Sequence, residues 1–143
     1  MAPPWRTFGQ TVTGLMDRLA AGGVLATDRV TEAVHAITSR EASASTAILD
    51  IAVGVPHARL QGLAEPAVAL AASRAGLYEA VPTVLIQIVA LVLSPPDANA
   101  EHLELLASVA TLLRSRTVRA DLLRTTDAAT ATALLQRHGR ASP

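Results

Sequence analysis

A chain of 143 residues, half of them apolar, suits one domain around a single hydrophobic core. Twelve acidic residues balance twelve basic ones, all arginine, so there is no net charge to gather a polyanion nonspecifically, and a lone Trp, Tyr and Phe give no aromatic platform for stacking bases or sugars. The absence of cysteine excludes disulfides, a thiol nucleophile and a zinc–thiolate site, and fits a cytoplasmic protein.

Residues 1–12 read as an N-terminal extension, 13–138 as the domain and 139–143 as a polar tail. The first ten residues lack the basic segment, apolar run and small-residue cleavage site of a signal peptide. Gly14 to Ala21 predicts a short helix ended by Gly22-Gly23, which supply the left-handed positions that close helices. A second helix begins near Thr27 or Asp28. Its apolar face is Val30, Ala33, Val34 and Ile37 at i, i+3, i+4 and i+7, and Arg40-Glu41 falls in its last turns. His35 lies off that stripe and reads as a solvated residue.

From Thr46 to Val55 the pattern turns β-branched and apolar, which predicts a strand or a strand with a bulge. It should stop near Val55, because Pro56 has no N–H for a ladder and biases its predecessor to extended geometry. Pro66 to Ser73 is a second strand candidate. Thr83 to Leu93, almost continuously apolar, reads as a long strand covered on both faces, too short for the roughly 20 residues that span a bilayer. Ser94-Pro95-Pro96-Asp97 ends it. Asp97 or Asn99 is positioned to cap a helix whose inner face carries His102, Leu105, Leu106, Val109 and Leu113, and two helical stretches follow, near 118–123 and 127–137. Helices at both ends of the strands predict an α/β fold, a single mixed β-sheet flanked by helices on both faces.

His57 stands just past the strand and behind Pro56, where a histidine is a candidate nucleophile, although an imidazole there is also an ordinary loop residue near a sheet edge. His102 equally suits a satisfied inward-facing helix residue, and Arg40 a solvated cation near a helix C-terminus. No Gly-x-Ser-x-Gly elbow, dinucleotide fingerprint or Walker-type loop is present.

Arg40-Glu41, Ala44-Ser45-Thr46, Val55-Pro56-His57-Ala58-Arg59, Glu65-Pro66, the run Val84 to Leu93, Pro95-Pro96 and His102-Leu103-Glu104-Leu105-Leu106 occur in that order. In this the chain resembles the fructose/mannitol-type enzyme IIA domain of the bacterial phosphoenolpyruvate-dependent sugar phosphotransferase system, including its nitrogen-regulatory branch. The resemblance implies that His57 is the phosphorylated histidine, His102 the second active-site histidine and Arg40 an anion-binding arginine. It implies an HPr-like protein as donor and a IIB-like protein, or a regulated transporter or kinase, as recipient, with no sugar, metal or organic cofactor bound and a homodimer possible. Arg59 is a surface cation that the resemblance makes available for partner docking.

The chain departs from that pattern where a glycine-rich turn is usual: it carries Ala47-Ile48-Leu49-Asp50-Ile51, one residue longer, and Gly54 replaces an alanine. Bulky residues there reshape the loop beneath His57, because glycine alone takes positive φ freely. The first strand expected of the family is hard to find at residues 3–11, which predicts a trimmed sheet. The alternative is a degenerate, non-phosphorylated IIA-like interaction or regulatory module.

Overall fold

The structure is a computed structural model, described here for residues 5–124. Helix α1 spans Phe8–Ala21, starting earlier than Gly14, because Thr7 accepts a hydrogen bond from the Gln10 N–H as N-cap. The expected boundary between residues 12 and 13 therefore falls inside a helix whose Thr11, Val12, Leu15, Met16 and Leu19 are buried. At its end Gly23 takes φ 77°, while its N–H bonds the Ala20 carbonyl and the Val24 N–H bonds that of Leu19, a Schellman closure. A single 3₁₀ turn, Thr27–Arg29, leads into α2, Val30–Ser43, which buries Ala33 and Ile37 and leaves His35 exposed.

The expected strand over 46–55 is instead a tight antiparallel hairpin. Strand β1, Ala47–Ile48, pairs with β2, Val53–Gly54, around a 3₁₀ turn at Leu49–Ile51 and a left-handed Ala52. Strand β3 is His57–Arg59 and β4 is Ala67–Ala72, within the predicted Pro66–Ser73. The long run over 83–93 also divides. Strand β5, Tyr78–Val81, forms a separate two-stranded hairpin with β6, Val84–Ile86, and Gln87 separates β6 from β7, Ile88–Ser94. Gln87 breaks the run because its backbone is claimed elsewhere: its N–H bonds the Ala52 carbonyl and its carbonyl accepts from the Ser73 N–H.

Strand β7 is the axis of the mixed main sheet. β2 and β3 follow one another along one edge of it, both parallel, with Val53 opposite Ile88 and His57 opposite Val92, while β4 lies antiparallel along the other. Side chains of β7 alternate between two cores. Val89, Leu91 and Leu93 pack with α1, α2 and the hairpin, whereas Ile88, Ala90 and Val92 pack with α3, Asn99–Arg114, and α4, Arg116–Arg124. Both faces are covered, which explains why the strand is apolar at every position up to Ser94, and the α/β class with helices on both faces is the observed one. The helical stretch predicted near 127–137 lies outside the described residues. No strand precedes α1 among the described residues, so the sheet lacks that amino-terminal strand there.

Candidate functional site

Pro56 shapes the site through what it lacks. Its carbonyl accepts from the Val92 N–H at 2.9 Å, so the edge stays docked on β7, but having no N–H it interrupts the ladder between β2 and β3. Successive carbonyls of an extended strand point to opposite sides, so that of Val55 turns away from β7. It is there that His57 Nδ1 lies, 2.9 Å from the Val55 oxygen. A carbonyl only accepts, so in the neutral ring Nδ1 carries the proton and Nε2 the lone pair. The His57 ring is half-buried.

His102 arrives from the other direction. Strand β7 ends at Ser94, Pro95-Pro96 turns the chain, and α3 starts at Asn99, which puts His102 in its opening turn facing the sheet. The helix has no side-chain cap, contrary to the expectation for Asp97 or Asn99. Asn99 Oδ1 instead accepts from the Arg59 guanidinium, which also donates to the Pro96 carbonyl at 3.1 Å. Arg59 thus ties the end of β3 to the turn that delivers His102, and its guanidinium is engaged within the chain. His102 is only 5% exposed, and its Nδ1 lies 2.6 Å from the Oγ of fully buried Ser94.

The structure brings His57 and His102 together, with ring centroids 5.6 Å apart and planes inclined by 58°. Burial first, then the charges of Arg59, His57 and Arg40, hold the His102 pKa below the ordinary histidine value, which favours a neutral ring. Arg40 is exposed in the last turn of α2, has no ion-pair partner among the described residues, and adds to the positive potential felt at His102. Two adjacent imidazoles, His102 in the field of two arginines, can take an anion beside a nitrogen lone pair.

The loop behind His57 rests on Glu41. Its carboxylate accepts from the Thr46 N–H at 2.8 Å, the Thr46 hydroxyl at 2.7 Å and the Ser45 hydroxyl at 3.1 Å, closing the step from α2 into β1. Sequence reasoning missed Glu41 and Ser94. Ser94 had one visible signal, a lone hydroxyl ending an otherwise apolar strand eight residues before a histidine.

Residues 10–138 match the family model described as phosphoenolpyruvate-dependent sugar phosphotransferase system, EIIA 2. Among curated proteins, the chain is 33% identical over 90 residues to the fructose-specific EIIABC component of Bacillus subtilis, spanning 62% of this chain and 14% of that protein. It is 29% identical over 92 residues to the fructose-specific EIIA component of Haloferax volcanii, spanning 64% of this chain and 59% of that one. Less than two thirds of either relative is therefore matched. In fold it is similar to nitrogen regulatory protein IIA-Ntr from Neisseria meningitidis (TM-score 0.76, 22% identity, 94% of this chain and 89% of that one). It is likewise similar to IIA mannitol from Escherichia coli (TM-score 0.72, 18% identity, 94% and 93%). A match over residues 10–138, nearly the whole chain, establishes that this chain belongs to the EIIA 2 family of the phosphoenolpyruvate-dependent sugar phosphotransferase system.

Proposed function

We propose that the chain is a cytoplasmic phosphocarrier that takes a phosphoryl group onto His57 from the phosphohistidine of an HPr-like protein and passes it to a IIB-like partner. One observation carries this reading: His57 Nδ1 is committed to the Val55 carbonyl, which leaves Nε2 unprotonated on a half-buried ring beside His102. Nε2 attacks phosphorus, an N–P bond forms there, and the donor's N–P bond breaks as its imidazole leaves with the electron pair. Positive charge placed on the His57 ring is stabilised by the Nδ1–H bond to Val55. Catalysis then rests on positioning and charge, the dominant means in phosphoryl transfer, with Arg40 and His102 as partners of the phosphoryl oxygens. A recipient of IIB type is supported by a solved structure of similar fold (TM-score 0.69), a complex of enzyme IIA mannitol with phosphorylated enzyme IIB mannitol from Escherichia coli.

The test is incubation with phosphoenolpyruvate, enzyme I and HPr, followed by intact mass. The parent gains one acid-labile phosphoryl group and His57→Ala gains none; equal gain by the variant would remove His57 from the role.

A second reading, an interaction module that is not phosphorylated, is favoured by the turn beneath His57. Leu49, Asp50, Ile51 and Ala52 occupy it, with Ala52 held at φ 57°. No gain by folded parent protein with competent donors supports that module instead.

A further inference from the structure

We infer that Ser94 is a positioning residue of the site: it fixes His102 as the tautomer that carries its proton on Nε2, the reverse of His57. The inference rests on the phosphocarrier reading for its purpose, but not for its geometry. Ser94 ends the central strand, and its backbone is held by the ladder, opposite Arg59 in register and with its carbonyl accepting from the Leu60 N–H at 2.9 Å. Its side chain is wholly buried, and the one hydrogen bond its hydroxyl makes among the described residues is the 2.6 Å contact to His102 Nδ1.

Accounting for hydrogens decides the direction of that bond. If His102 Nδ1–H donated to Ser94 Oγ, the serine proton would be buried with no acceptor, a costly arrangement. If the Ser94 hydroxyl donates to Nδ1, donor and acceptor are both satisfied, and the His102 proton resides on Nε2. The depressed pKa of His102, caused first by burial, is consistent with a ring that stays neutral rather than protonated on both nitrogens.

The two histidines then divide the work. Val55 makes His57 an Nε2 lone pair, and Ser94 makes His102 an Nε2–H donor. A lone pair attacks phosphorus and an N–H steadies a phosphoryl oxygen; two lone pairs facing one anion would oppose each other. Arg59 supports the helix start that carries the same ring, by holding the turn at Pro96 and the side chain of Asn99.

Nitrogen-15 NMR of histidine-labelled protein, at a pH above the histidine range, tests this. In the parent, His102 Nδ1 gives a pyridine-type signal and Nε2 a pyrrole-type one; the opposite pattern, or a doubly protonated ring, overturns the inference. Ser94→Ala shifts His102 toward a mixture of tautomers and Ser94→Thr, which keeps the hydroxyl, restores the parent pattern; an unchanged pattern in Ser94→Ala also overturns it. Loss of one such hydrogen bond slows phosphoryl acceptance by about tenfold in Ser94→Ala, with recovery in Ser94→Thr. If the parent accepts no phosphoryl group the phosphocarrier reading fails, while the tautomer assignment still stands or falls on the nitrogen signals.

Discussion

At Gly54 the backbone of β2 runs too close to Tyr78 for a side chain. A Cβ built there would sit 2.4 Å from the Tyr78 hydroxyl, closer than any real contact. Tyr78 is buried, packs edge-on to Phe8 with centroids 5.1 Å apart, and its hydroxyl has no hydrogen-bond partner among the described residues. Burial, reinforced by the Glu41 carboxylate, drives its pKa far above the ordinary tyrosine value, so the phenol stays protonated. Gly54→Ala is expected to cost about 1–3 kcal/mol by overpacking, measured by urea unfolding. Tyr78→Phe alone, which removes an unsatisfied hydroxyl, is nearly neutral, and in the double variant it recovers most of the loss. Additive losses would show that the contact is not what makes glycine necessary.

At the scale of elements, the departure from the glycine-rich pattern becomes a backbone question. The turn of the hairpin β1–β2 survives without glycine because Ala52 takes φ 57°, and the Ala52 carbonyl receives the Gln87 N–H at 2.9 Å, which joins the hairpin to the start of β7. A left-handed alanine costs on the order of 1 kcal/mol. Ala52→Gly is therefore expected to stabilise the fold by up to about 1 kcal/mol, less the entropy that glycine adds to the unfolded chain, as a rise in urea midpoint. Destabilisation would mean that the alanine methyl group contributes packing that outweighs the strain. The same region marks the limit of what periodicity discloses. Helix α2 was legible because its apolar residues recur at one period. The stretch 46–55 and the run 83–93 were not, since uninterrupted apolar residues look alike whether a strand continues or doubles back. The turns lie at Ala52 and Thr83, two non-glycine residues with positive φ; only the second has a turn signal beside it, Pro82.

The whole molecule places His57 and His102 where two layers meet the end of a parallel strand pair. β7 divides its side chains between two cores, α1 and α2 close one face, α3 and α4 close the other, and the site opens where β3 and β7 give way to α3. His57, His102 and Arg40 were all named by sequence because the order of motifs along the chain carried them. Ser94 and Glu41 were named only as a strand end and as the neighbour of Arg40, because their side-chain contacts, to His102 and to Ser45-Thr46, leave no motif of their own. One consequence reaches global stability. The His102 pKa is lowered in the folded protein, so between that value and the ordinary 6.5 the unfolded chain binds more protons. Stability from the neutral buried ring is complete above about pH 6.5 and is lost as pH falls through the depressed value. Unfolding free energy should drop more steeply on acidification below pH 6.5 in the parent than in His102→Gln, which lacks the titrating group; parallel curves would refute it.

The central claim, that His57 Nε2 is the nitrogen that receives phosphorus, is tested most directly by phosphorylating histidine-15N-labelled protein through enzyme I and HPr and recording phosphorus–nitrogen coupling. The structure predicts coupling to His57 Nε2, with Nδ1 still protonated on the Val55 carbonyl. Phosphorus bound to Nδ1, to His102, or to no histidine would contradict it.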